Sequence, residues 1–141
     1  MRAPTMRYLA IDYGGKRTGL AVCDAGERVC SPLCVIEGEK DLIEKIASIA
    51  EQVGINQIVL GLPLNMDGSS GPAAKRVIRF AEDLKAGLGL VVNLQDERLT
   101  SFGAESRLVG TDFTRQGKRK RLDAIAAAEI LQAFLDRRNN Q

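Results

Sequence analysis

The sequence predicts an α/β fold, a mixed five-stranded sheet with helices on both faces. Three observations point to it. Three short apolar stretches crowd the first 36 residues at spacings that suit an antiparallel meander. The apolar period then changes to that of a helix. Thereafter strands and helices alternate, which demands a parallel continuation of the sheet and helices to cover it.

Each element can be justified in order. Residues 1–6, with Pro4, read as a loose tail. Residues 7–12 (RYLAID) form a strand ending on an acid, and Gly14 and Gly15 make a tight turn. Residues 18–23 (TGLAVC) return as a second strand and 28–36 (RVCSPLCVI) as a third. Pro32 lies within the third, so that strand is bent or at an edge. Leu42, Ile43, Ile46, Ala47, Ile49, Ala50 and Val53 recur at helical spacing until Gly54. Residues 57–60 (QIVL) suit a buried parallel strand. A loop of Gly, Pro, Asn and Ser spans 61–71, and a helix follows from about Pro72 with Val77, Phe80, Ala81 and Leu84 on one face. Residues 88–94 (LGLVVNL) are the last strand. A short helix is expected over 101–109, a polar basic loop over 110–121, and an Ala-rich helix over 122–137.

With 141 residues, 45% of them apolar and 27% charged, the chain suits one domain over 1–141 with an ordinary core. No stretch approaches the roughly 20 apolar residues of a membrane span, and nothing reads as a signal peptide. Cys23, Cys30 and Cys34 form no C-x-x-C pair, which points to reduced thiols and a cytoplasmic protein. The most restrictive feature is the absence of histidine. It excludes Ser-His and Cys-His nucleophiles and His-ligated zinc, leaving carboxylates, Lys, Tyr, Cys or a metal ion to carry any chemistry.

Ligands of open α/β sheets gather beyond the carboxyl ends of the strands. Asp12 ends the first strand there, Asp96 and Glu97 follow the last, and Asp123 opens the final helix. Asp12, Glu97 and Asp123 converging from separate elements would repel one another unless a divalent cation lay between them. Oxygen ligands favour Mg²⁺ or Mn²⁺. Each acid has an ordinary alternative. Asp12 is a turn former before Gly, Asp123 a helix N-cap, and Glu97 a loop charge pairing with Arg98. Asp96 is the reserve for Glu97.

Residues 12–19 (DYGGKRTG) combine backbone-exposing glycines with Lys16 and Arg17, a cradle for phosphate or simply a hairpin turn. The 61–69 loop offers Asn65 and Ser69 as polar contacts. Arg115, Lys118, Arg119, Lys120 and Arg121 form the densest basic run, next to Asp123, and suit phosphate contact or a solvated loop. Nucleic-acid contacts are therefore expected at Lys16, Arg17, Asn65, Arg98, Lys118, Arg119, Lys120 and Arg121. Few aromatics are available for base stacking.

Four strings in order, LAIDYGGKRTGLAV (9–22), VLGLPLNMDGS (59–69), QDERLTS (95–101) and KRLDAIAAAEILQ (120–132), resemble the YqgF/RuvX family of pre-16S rRNA nucleases, or Holliday-junction-resolvase-like proteins. The resemblance runs from about Tyr8 to Leu135. It implies an RNase H-like fold, a role in maturing the 5′ end of 16S rRNA, and family acids at Asp12, Glu97 and Asp123. The family's Lys-Arg pair falls on Lys16 and Arg17. Cys23 stands where the family often has Ser.

The function expected is thus a metal-dependent endonuclease that cuts phosphodiester bonds in precursor rRNA. A DNA junction resolvase would share the metal site and need a homodimer for its two cuts. A sugar-kinase or actin-like ATPase needs a second domain to clasp nucleotide. A non-catalytic RNA-binding assembly factor is the remaining alternative.

Overall fold

A computed structural model of the chain describes residues 6–24, 29–99 and 115–139. In order these form β1 (Tyr8–Tyr13), β2 (Arg17–Cys23), β3 (Cys30–Glu37), α1 (Leu42–Val53), β4 (Gln57–Leu62), α2 (Pro72–Leu88), β5 (Val91–Asp96), a 3-10 turn (Glu97–Leu99) and α3 (Arg115–Asn139). The strands make one sheet in the order β3-β2-β1-β4-β5. The first three are antiparallel; β4 joins β1 in parallel, and β5 joins β4 likewise. This is the mixed five-stranded RNase H-like sheet that the sequence predicts.

Pro32 lies on the edge strand β3, whose pairing with β2 slips by one residue between Leu20 and Ala21. A residue without an N–H is tolerated there because the outer side of an edge strand has no ladder to complete. Side-chain alternation divides the central strands between two cores. Leu9 and Ile11 of β1, Leu20 of β2, and Ile58 and Leu60 of β4 pack with Leu42, Ile46 and Ala50 of α1 and with Val77, Phe80, Ala81 and Leu84 of α2. Tyr8 and Ala10 of β1, Ala21 and Cys23 of β2 and Val59 of β4 pack with Ala127, Ile130, Leu131 and Leu135 of α3. The first face is built from large side chains and carries two helices. The second is built mostly from small ones, so a single Ala-rich helix lies close against it.

Two boundaries differ from the sequence reading by more than two residues. The last strand begins at Val91 rather than residue 88, because Leu88 closes α2 and Gly89 caps it by donating its N–H to the Lys85 carbonyl. The basic run from Arg115 to Arg121 is helical, not loop: α3 starts at Arg115, and Lys and Arg are good helix formers that outweigh Gly117. Consequently Asp123 lies well inside α3 and is no N-cap. The short helix expected over 101–109 and the loop residues 110–114 fall outside the described residues. Cys23, Cys30 and Cys34 form no disulfide.

Candidate functional site

Asp12 is the even-numbered neighbour of Tyr8 and Ala10 on β1, so its side chain emerges on the α3 face at the carboxyl end of the strand. Its partner across β2 is Gly19. A Cβ on Gly19 would overlap the Asp123 carbonyl, so α3 can approach β2 at this point only because no side chain intervenes. That approach carries Asp123 to Asp12. A second glycine does the same for Glu97. Gly61 is the penultimate residue of β4, and a Cβ there would stand 2.7 Å from Glu97 Oε1 and 2.6 Å from Ile130 Cδ1. The 3-10 turn after β5 therefore folds Glu97 back over Gly61, beside Asp12.

The result is a hydrogen bond between the Asp12 and Glu97 carboxyls, with Asp123 near enough to feel the Asp12 charge. Two carboxyls can bond in this way only if one holds a proton. Burial, then the Asp12 charge and its hydrogen bond, push Glu97 up to about 8. Burial also raises Asp12, although its bond to Glu97 works against the rise. Asp123 is raised by burial and by the Asp12 charge, with Arg17 opposing. Arg17 is thus the cation that faces the acids, whereas Lys16 projects from the turn and is exposed.

The donor set suits a hard divalent cation, since only carboxylate oxygens converge and no imidazole exists in the chain. Among the described residues no three such side chains stand close enough, as placed, to share one ion. Asp12 and Glu97 are drawn to each other instead, and a shared ion would require their bond to open. A half-buried pair of bonded acids beside a third raised acid is the arrangement that a cation would relieve.

Asp96 is not part of this group. It points to the opposite side of β5's end, where Arg98 grips it with Nε at 3.0 Å and Nη2 at 2.7 Å from Oδ2. That pairing lowers the Asp96 pKa, and it removes Asp96 as the reserve for Glu97. Arg98 also donates to the Met66 carbonyl at 3.1 Å, tying the 63–71 loop to the end of β5. Within that loop Asn65 donates to Ser69 Oγ at 3.0 Å, and Ser69 in turn bonds Asp67. Asn65 and Arg98 therefore brace a loop and are not brought to the acids. Lys118, Arg119, Lys120 and Arg121 lie in the first turns of α3, on the approach to Asp123; their side chains fall outside the described residues. Gly19 and Gly61 escaped the sequence reading. An isolated glycine inside an apolar strand was the available signal, because it marks close approach by another segment.

The sequence profile of RuvX, described as Holliday junction resolvase, matches residues 6–137. A protein of Anaeromyxobacter dehalogenans (strain 2CP-C) named "Putative pre-16S rRNA nuclease" is 45% identical over 94% of this chain and 98% of its own. One of the same name from Clostridioides difficile (strain 630) is 39% identical over 92% and 94%. Among solved structures, T. thermophilus RuvC in complex with a Holliday junction substrate superposes with a TM-score of 0.60 at 13% identity, covering 95% of this chain and 96% of that one. The fowlpox virus Holliday junction resolvase gives 0.55 at 15% identity, covering 94% and 99%. These two share the fold. With the profile spanning nearly every residue and curated relatives matching almost end to end, the chain belongs to the RuvX family of nucleases.

Proposed function

We propose that the protein is a metal-dependent endonuclease that hydrolyses phosphodiester bonds, acting at the 5′ end of precursor 16S rRNA. The observation that carries this reading is the bonded pair of Asp12 and Glu97 with Asp123 beside it, at the carboxyl end of the central strand. Asp12, Glu97 and Asp123 would hold Mg²⁺ or Mn²⁺. Bound there, the ion would polarise a phosphate oxygen and lower the pKa of a water. The chain's own residues do the rest. Gly19 and Gly61 fix the height of the acids above the sheet. Glu97 gives up its proton to become a ligand. Arg17 offsets the excess negative charge, and Lys16 with the cations at 118–121 holds the substrate backbone without reading sequence.

The rRNA substrate is supported by the names of the curated relatives. The rRNA-processing name of those relatives, together with cysteines that form no disulfide, supports a cytoplasmic setting. A second reading, resolution of branched DNA by a homodimer, is supported by the family description and by the RuvC complex. One experiment separates them. Wild type and Asp12→Asn are incubated with a 5′-extended 16S precursor or a four-way DNA junction, with Mn²⁺, Mg²⁺ or EDTA. Ion-dependent cutting of the precursor alone, lost in the variant, is expected. Cutting of the junction alone would transfer the proposal to DNA, and no cutting of either would leave an RNA-binding assembly factor.

A further inference from the structure

A cleft of about 420 Å³ opens on the face of the sheet opposite the acids, lined by Tyr13, Gly15, Lys16, Glu39, Ala73 and Arg76 among others. Its volume falls in the range of small-ligand sites. Tyr13 follows Asp12 on β1, so the two side chains leave opposite faces of one strand end. Tyr13 stacks on Phe80 of α2, with ring centroids 4.1 Å apart and planes within 7°. Its hydroxyl donates to Glu39 Oε1.

We propose that this cleft is a second substrate subsite, taking one nucleotide of a single-stranded RNA next to the cut. The inference rests on the nuclease reading and adds where the strand goes and how its sugar is read. Lys16, Arg76 and the first turn of α2 line the cleft. Pro72 opens that helix and Gly71 caps it without a side chain, so the N–H groups of its first turn have no side-chain partner from the cap. Two cations and a helix start select a phosphate. Glu39 also lines the cleft, beside Tyr13. With Oε1 engaged by Tyr13, its Oε2 can accept from a hydroxyl. A ribose 2′-OH is such a donor, and deoxyribose lacks it.

The charge pattern gives the direction of the strand. Beyond Tyr13 the surface turns acidic, with Glu39, Asp41, Glu44 and Asp83 around an adjoining groove. A phosphate chain is repelled from that side. It is drawn toward Lys16 and over the Gly14–Gly15 turn, which lines the cleft and follows the end of β1 that carries Asp12. The substrate would therefore bend around the end of β1, with one phosphate at the acids and a neighbouring nucleotide in the cleft.

The test measures binding, without cleavage, so that it does not depend on the nuclease reading. Short fluorescent single strands of RNA and DNA of one sequence are titrated in EDTA across a range of salt. Proteins are wild type, Arg76→Ala, Glu39→Gln, and Arg79→Ala as a control that loses the same charge on the same helix outside the cleft. Arg76 is exposed, so its removal should leave folding intact, which a melting curve checks. Arg76→Ala should weaken both strands several-fold and flatten the salt dependence by about 0.7 log units, one contact's worth. Arg79→Ala should change little. Glu39→Gln removes a charge that repels the phosphate chain, so it should strengthen DNA binding slightly while reducing the preference for RNA over DNA at least threefold. Equal effects of Arg76→Ala and Arg79→Ala would overturn the subsite as a bulk charge effect. An unchanged RNA preference in Glu39→Gln would overturn the reading of the sugar. A parallel cleavage assay on wild type with Mn²⁺ tells failure of the subsite from failure of the nuclease reading.

Discussion

Replacing Asp12 by Asn should make the ion-free protein more stable at alkaline pH. In the wild type, Asp12 and Glu97 share a hydrogen bond that needs a proton, and Glu97 keeps that proton up to about 8. An acid whose folded pKa exceeds its unfolded value favours the folded state at low pH. That advantage is lost as pH rises, starting near 4.5, the ordinary value, and continuing through about 8. The rise in Glu97 corresponds to a ceiling of about 5 kcal/mol at about 1.4 kcal/mol per pKa unit. Burial is its largest cause and is untouched by the substitution. The Asp12 charge and its bond supply the rest, so about 1–3 kcal/mol should be recovered at pH 9. Asn still donates a hydrogen bond to the Glu97 carboxylate, and Asp123 also loses a repelling neighbour.

The assay is thermal melting of both proteins in EDTA between pH 4.5 and 9. For a chain of this size a gain of that order raises Tm by about 3–9 °C. The two curves should meet near pH 4.5 and separate progressively above it, while the variant loses all cleavage. A variant that melts several degrees below wild type at pH 9 would show that Asp12 is a structural turn residue and that the acids are not in repulsive contact.

Further outcomes follow from the same geometry. Since a metal ligand must be deprotonated, the affinity for Mn²⁺, followed by calorimetry, should climb up to tenfold per pH unit below about 8 and level off above it; a flat profile would remove Glu97 from the ligands. Gly19→Ala places a methyl group against the Asp123 carbonyl, so it should cost about 1–3 kcal/mol and most of the cleavage rate while far-ultraviolet dichroism is retained. Unchanged activity would mean that the spacing of α3 is not what sets the acids. Neutralising Lys118, Arg119, Lys120 and Arg121 together should weaken RNA binding for every sequence and reduce the salt slope by about 0.7 per phosphate contact. Parallel slopes would make that stretch a solvated helix start. Arg98→Ala should release the 63–71 loop and expose it to proteolysis, because the bond to Met66 and the pair with Asp96 are both lost.

The strands and helices were legible because apolar periodicity is a local property. The meander, the edge position of Pro32 and the parallel strand at 57–62 all follow from short windows of sequence. The boundaries at Leu88 and Arg115 were not, because LGLVVNL is apolar but for Asn93 and RQGKRKR is polar but for Gly117, so periodicity changes within neither run, and Gly89 reads as readily as a strand residue as the helix cap it is. For the acids, position on strand ends and resemblance to a family picked out Asp12, Glu97 and Asp123. What strand-end position alone could not supply was which of Asp96 and Glu97 turns toward β1. That choice is made by Arg98 holding Asp96 and by the space over Gly61, both of them contacts between distant segments. The basic cleft beside Tyr13 was likewise hidden, since Arg76 and Glu39 meet only after α2 packs on the sheet.

The division of the sheet into a thick face and a thin face has an evolutionary consequence. The large residues beneath α1 and α2 can exchange among themselves with the usual penalties of repacking, and the acids need not move. On the α3 side there is no such slack. Any added carbon at Ala10, Gly19, Ala21 or Gly61 acts as a shim under the helix or the Glu97 turn, lifting one acid away from the others. Variants that drift toward greater stability are therefore expected to accumulate on the first face. On the second face, substitutions of chemically inert residues should look, in a mutational scan, like losses of catalytic groups.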